Sequence, residues 1–185
     1  MSSYFAPGRV NLIGEHLDYN GGLVLPTALT IGIKATVTKR NNGKILLRSA
    51  SHAFNKEINP DDIPVFDPAN DWTNYPIGVI SLLKKEGYKI PWCEIYYESN
   101  LPEGSGLSSS AAIEILTSYA IINEVRHATM HDSELVWLAN FCRQVENEFI
   151  GVKCGIMDQY AVALGKKDNA ILINCATLEH RYIPI

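Results

Sequence analysis

A strand, a glycine- and serine-rich loop and a long helix follow one another between residues 94 and 125, and this run constrains the fold more than any other stretch. Glu94 to Glu98 reads as a short strand. From about Ser108 to Val125, Ala112, Ile115, Leu116 and Tyr119 give one continuous apolar helical face. Between them lies Leu101-Pro102-Glu103-Gly104-Ser105-Gly106-Leu107-Ser108-Ser109-Ser110. Glycines let backbone approach an anion closely, and the serines add hydroxyl donors. The free N–H groups and positive dipole end of the helix favour negative charge by roughly 0.3–1 kcal/mol. A phosphate chain fits such a loop. No Gly-Lys-Ser/Thr follows, so it is not a Walker A loop, and it is not the dinucleotide fingerprint either. The plainer alternative is a Gly/Ser loop that only caps its helix.

The surrounding chain mixes strands and helices. Thr30 to Thr38 is rich in β-branched residues, Asn41-Asn42-Gly43 is a turn signal, and Lys44 to Arg48 follows as the expected hairpin partner. A loop rich in Pro, Asp and Asn runs from Asn59 to Asp71. Tyr75 to Lys85 has helical spacing, with Ile77, Ile80 and Leu83 on one side. A further helix starts at a cap at Asp132 or Ser133 and runs to about Phe149, with Leu135, Leu138, Ala139, Cys142 and Val145 in its buried stripe. A shorter one follows Gly155 and ends at Gly165; Ala170 to Asn174 and the last residues are strands. Without strict βα alternation, the expected class is α+β, a mixed sheet packed against helices.

The chain's 185 residues suffice for one domain, which at this length buries roughly 70% of the unfolded surface. A net charge of -4 argues against a chain dedicated to gripping nucleic acid. Cys93, Cys142, Cys154 and Cys175 lack paired spacing, and neither a secretory signal nor a membrane-spanning apolar run is present. The economical expectation is a cytoplasmic protein with no membrane partner, its cysteines serving as small core hydrophobes.

Polar residues gather at three places. Pro7 to Gly22 packs Arg9, Glu15, His16 and Asp18 among glycines. Crowded donors and acceptors suit a neutral polyol, whose hydroxyls both donate and accept; the alternative is a solvated turn with Arg9 paired to Glu15 or Asp18. Glu146 falls beside the apolar stripe of its helix. A carboxylate there needs Mg²⁺ or an arginine as partner, unless it reaches water at the stripe's edge. Asp158 opens the short helix after Gly155, where it either caps the helix or orients a hydroxyl.

Taken together, these segments resemble the N-terminal half of the galactokinases, a branch of the GHMP kinase family. Pro7-Gly8-Arg9-Val10-Asn11-Leu12-Ile13-Gly14-Glu15-His16-Leu17-Asp18-Tyr19-Asn20-Gly21-Gly22 is similar to the galactokinase signature. Gly106-Leu107-Ser108-Ser109-Ser110-Ala111 resembles the second GHMP motif, Cys154-Gly155-Ile156-Met157-Asp158-Gln159 the segment bearing the family's aspartate, and Trp72-Thr73-Asn74-Tyr75 a segment near the adenine. The resemblance implies a ribosomal protein S5 domain 2-like fold over residues 1–185 and the reaction of ATP with galactose to give galactose 1-phosphate and ADP. By the same resemblance Glu15, His16, Asp18 and Gly155 bind galactose. Arg9 lies near the transferred phosphoryl group, and Asp158 contacts the anomeric hydroxyl as base or positioner. Gly104, Ser105, Gly106, Leu107, Ser108, Ser109 and Ser110 cradle the ATP phosphates, Ser110 and Glu146 ligate Mg²⁺, and Trp72 faces the adenine.

Leu17 departs from the threonine usual in the family. The family's second domain, with its third glycine-rich motif, is not found within residues 1–185. The expectation is weak or no turnover by this chain alone, and self-association through an uncovered interdomain face. The rival readings are a related sugar 1-kinase, for N-acetylgalactosamine, arabinose or a uronic acid, and a galactose- and ATP-binding regulator without catalysis.

Overall fold

The structure is a computed structural model that describes residues 1–102 and 104–185. Strand β1 (Ser2–Asn11) is followed by β2 (Leu23–Val24), the long β3 (Pro26–Lys39), β4 (Ile45–Ser49) and β5 (Lys56–Ile58). A 3-10 turn (Pro68–Thr73) leads into α1 (Asn74–Lys85), then β6 (Cys93–Ser99) and α2 (Ser109–Arg126). Helix α3 (Asp132–Gln144) runs into one π-helical turn (Val145–Ile150), and α4 (Met157–Leu164), β7 (Asn169–Asn174) and β8 (His180–Pro184) complete the chain. Among the described residues the strands form one mixed sheet in the order β2-β7-β3-β6-β4-β5, with β1 also on β3 and β8 on β7. The α+β expectation holds. No helix among the described residues is long and apolar enough to cross a membrane.

The expected hairpin between the third and fourth strands does not form. β6 lies between them, antiparallel to β3 and parallel to β4, so that Ile95 sits opposite both Val37 and Leu47. All three side chains are buried, as are Cys93 and Tyr97 on the same face of β6. Alternating apolar residues on β3 and β4 specify a buried face but not a neighbour. A later strand with matching alternation therefore enters the gap. The first strand is another departure: residues 2–11, part of them read as a polar turn, pair with β3 along its length, with a register shift between Pro7 and Arg9.

Helix α2 is central. Rather than burying one stripe, it buries Ala111 through Ser118 and Ala120 through Ile122, because it packs on β1 and β3 and touches α1, α3 and α4. A helix surrounded in this way has no solvent face to hold charge. Ile77, Ile80 and Leu83 of α1 are fully buried against the same core, each burial worth about 1.5–3 kcal/mol. Tyr97 of β6 and Thr117 of α2 share a buried hydrogen bond of 2.7 Å that fixes strand to helix on either side of the glycine-serine loop. The third helix starts one residue earlier than expected: its cap is His131, whose main-chain N–H donates to Glu134 at 2.9 Å. A second, smaller core of Val24, Ala139, Ile156, Met157, Tyr160, Leu164, Ile171 and Ile173 seats α4 and with it Asp158.

Candidate active site

The register shift in β1 places Arg9 just past an irregularity in its ladder, the kind of device that re-aims a side chain. Its guanidinium reaches across the fold to α4. Nε and Nη2 both lie 2.7 Å from Asp158 Oδ1, and Nη1 donates to the Gly106 carbonyl at 2.7 Å. The other carboxylate oxygen, Asp158 Oδ2, accepts from the Ser108 hydroxyl at 2.7 Å. The main-chain N–H of Arg9 also donates to Leu107 O at 3.2 Å. Residues from the first strand, the glycine-serine loop and α4 thus meet in one charged cluster. Asp158 does not cap α4, which has no side-chain cap.

The loop is held in an unusual backbone. Gly104 and Gly106 have φ of +66°, a region open to glycine, and beyond the adjoining residues no described atom lies within 4 Å of where a Cβ would stand on either. Ser108, which precedes the first residue of α2, is also left-handed (φ 61, ψ 46), although it carries a Cβ. Its hydroxyl is turned to Asp158 rather than to its own helix. Strained backbone of this kind is concentrated at functional sites. Ser105 donates to Pro102 O at 2.7 Å, while Ser109 and Ser110 line a cavity of about 570 Å³ together with Gly104, Trp72, Tyr75 and Tyr97. Trp72 is an inner wall more than an open platform. It is 9% exposed, stacked by His52 on one side and met edge-on by Tyr97, and its indole N–H donates to Phe54 O at 3.0 Å.

On the other side of Asp158, residues 14–22 make a tight loop. Glu15 accepts from the Asn11 amide at 2.9 Å, His16 Nδ1 lies 2.8 Å from the Tyr19 hydroxyl, and Gly22 N donates to Leu17 O at 2.8 Å. Glu15 and His16 face solvent, and Asp18 is half-buried against Gly155. A Cβ on Gly155 would stand 2.8 Å from the Asp18 main-chain carbonyl carbon and nearer still to its carboxylate. Glycine at 155 is thus what lets this loop close onto the segment that carries Asp158.

Glu146 sits on the π turn and is 7% exposed, so it does not reach water at the stripe's edge. Sequence reading overlooked its neighbour Glu114. On α2, one turn beyond Ser110, Glu114 is fully buried and neither carboxylate oxygen has a hydrogen-bond partner among the described residues. Burial first, and then the charge of Glu146, pushes its carboxyl well above the usual 4.5. Burial and the same two carboxylates also raise the thiol of Cys142 and the phenol of Tyr75, and push the Cys154 thiol up to about 12. One signal could have found Glu114: it is the lone charged residue between Ser109 and Asn123 of a long helix. Among the described residues no group of three or more His, Cys, Asp and Glu forms a metal cage. A cation bound through one or two carboxylates, a hydroxyl and substrate phosphates is the arrangement Mg²⁺ favours, and the buried Glu146 carboxylate, with unpartnered Glu114 in its field, fits one.

A charged cluster at a left-handed helix start stands beside an aromatic cavity and a polar loop, an arrangement suited to a small anionic ligand. Residues 74–166 match the GHMP kinases N terminal domain, and residues 2–39 match the galactokinase galactose-binding signature. The chain belongs to the GHMP kinase family. It is 46% identical to a galactokinase from Clostridium tetani over all of its length and 46% of the relative's, and 48% identical to one from Bacillus subtilis over 97% of its length and 45% of the relative's. The crystal structure of Lactococcus lactis galactokinase complexed with galactose superposes with a TM-score of 0.89 at 35% identity, covering 99% of this chain and 47% of that one. The chain therefore spans about half the length of the relatives it matches.

Proposed function

We propose that this chain is the sugar- and nucleotide-binding half of a galactokinase, transferring the terminal phosphoryl group of ATP to O1 of galactose. The observation that carries this reading is the junction of Arg9, Asp158, Ser108 and Gly106, with every contact at 2.7 Å. The aromatic cavity lined by Trp72, Tyr75 and Tyr97 takes the base, and the loop from Gly104 to Ser110 takes the phosphates. Glu15, His16 and Asp18, with the backbone at Gly155, take the sugar. Asp158 then stands where sugar and phosphate loops meet and accepts a hydrogen bond from the anomeric hydroxyl, setting its oxygen in line with the phosphorus. Arg9, anchored on Asp158 and the Gly106 carbonyl, presents positive charge to the migrating phosphoryl group. Such an arginine is worth on the order of 10³–10⁵ in rate elsewhere. When bound, Mg²⁺ neutralises phosphate charge, with Ser110 and Glu146 as its protein ligands. Little covalent chemistry falls to the protein; positioning and charge do the catalysis.

Titration calorimetry tests the assignment. Galactose is expected to bind at least about tenfold more tightly than glucose, because a hydroxyl in the wrong configuration leaves buried polar groups unpaired. N-acetylgalactosamine, arabinose and a uronic acid serve as comparators. Equal binding of galactose and glucose would discard the sugar assignment; absence of any Mg²⁺–ATP binding would discard the kinase reading altogether.

A further inference from the structure

Glu114 and Glu146 are both buried, and neither takes part in an ion pair among the described residues. Glu114 is the stranger of the two. It is flanked on α2 by Ile113 and Ile115, both buried. The nearby hydroxyl of Ser118 is spent on the Glu114 main-chain carbonyl at 2.8 Å, not on the carboxylate. A buried carboxylate with no donor costs several kcal/mol unless something compensates it. Both oxygens are left unpartnered, within electrostatic reach of Glu146 and one helical turn from Ser110. The π turn that carries Glu146 is itself a device that re-phases a helix at functional positions.

We propose that Glu114 is the inner member of a two-carboxylate cation site, a positioning residue that stands behind Glu146 and Ser110 and raises the site's affinity for a divalent cation. The proposal rests on the reading of the adjoining cavity as a Mg²⁺–nucleotide site and adds to it a residue that ligates no phosphate and touches no sugar. Glu114 supplies negative charge that the cation neutralises. This is the outer-shell role whose loss costs 10–100-fold in metal affinity in other proteins.

The test uses Mn²⁺ as probe, its free concentration read by electron paramagnetic resonance with a non-hydrolysable ATP analogue present. Glu114→Gln, which keeps the shape and removes the charge, is expected to weaken Mn²⁺ binding about tenfold or more. Its affinity for the analogue without metal should stay within about twofold, which a general loss of structure would not allow. A folded Glu114→Gln chain with unchanged Mn²⁺ affinity overturns the proposal. Glu146→Gln separates the two levels. If it weakens Mn²⁺ binding and Glu114→Gln does not, the proposal alone fails; if neither does, the underlying Mg²⁺–nucleotide reading fails. Should Glu114→Gln not fold, infrared difference spectra of the glutamate-labelled wild-type chain on adding Mg²⁺ decide the matter. Two perturbed carboxylate bands are expected, and a single band overturns the proposal.

Discussion

The two acidic clusters at the head of α2 are built on opposite terms. Around Asp158 every oxygen is occupied: Arg9 holds Oδ1, Ser108 holds Oδ2, and the guanidinium's remaining arm is tied to Gly106. Side-chain exposure of 15% and 31% leaves that pair in contact with water. Around Glu114 nothing is occupied and nothing is exposed. A satisfied network holds its own geometry before any ligand arrives, which is what preorganised catalysis requires. An unsatisfied one stores a cost that a ligand can relieve. The contrast separates the part of the site that is satisfied within the chain from the part that, on our proposal, a cation completes.

The sharpest way to break this comparison is at its finished end. Arg9→Lys keeps the charge but cannot make the two contacts to Asp158 Oδ1 and the third to Gly106 at once. On the full-length protein, the rate of ADP release is expected to fall by roughly 10²–10³, with galactose binding little changed. A drop of less than a few-fold would mean that the charge alone suffices and the geometry is incidental. Gly155→Ala probes the adjoining sugar loop. Its Cβ would press on the Asp18 main chain, which cannot rotate away, so a loss of galactose affinity of about tenfold or more is expected by calorimetry, with ATP binding retained. Unchanged galactose affinity would move the sugar away from Asp18.

These two regions were not equally legible. The loop, the charged cluster and the polar turn draw notice through their residue types (glycines, serines at a helix start, an arginine and an aspartate among small residues), but each also has a plainer reading as a cap or a solvated turn. The separation of Arg9 and Asp158 by 149 positions carries no clue that they touch; family resemblance supplied that. Glu114 was passed over because only one apolar stripe of α2 is legible from its spacing. The other side of the helix is buried by α1, α3 and α4, a tertiary fact that periodicity along one helix does not contain. The inserted β6 went unseen for the same reason, since alternation in β3 and β4 sets faces and leaves partners free.

The unfinished end gives a smaller effect of opposite sign. In a chelator, with no cation, replacing Glu114 by methionine is expected to stabilise the chain by about 1–3 kcal/mol at pH 8 in urea unfolding. The pH dependence follows from the raised carboxyl. A group that binds its proton more tightly in the folded than in the unfolded state favours folding at low pH. That advantage is lost as pH climbs from 4.5 through the raised value. The gain from methionine should therefore shrink as pH falls toward the ordinary carboxylate range. A gain that is the same at pH 5 and pH 8 would show that charge burial is not its cause. The same substitution is expected to reduce, by an amount set by the factor lost in metal affinity, the extra stabilisation that Mg²⁺ confers on the wild type.

The smallest effect concerns the residue that joins the satisfied cluster to the helix. Ser108 has a left-handed backbone, and its hydroxyl is committed to Asp158. Alanine and glycine both remove that hydroxyl, so both should lower turnover to a similar degree. They differ in backbone alone: alanine keeps a Cβ that disfavours φ of 61, while glycine is at home there. Glycine should therefore be the more stable variant by about 1 kcal/mol in chemical unfolding, since the left-handed cost outweighs its extra freedom in the unfolded chain. If alanine proves as stable as glycine, the helix start carries no strain, and the hydrogen bond to Asp158 is a consequence of the backbone rather than its recompense.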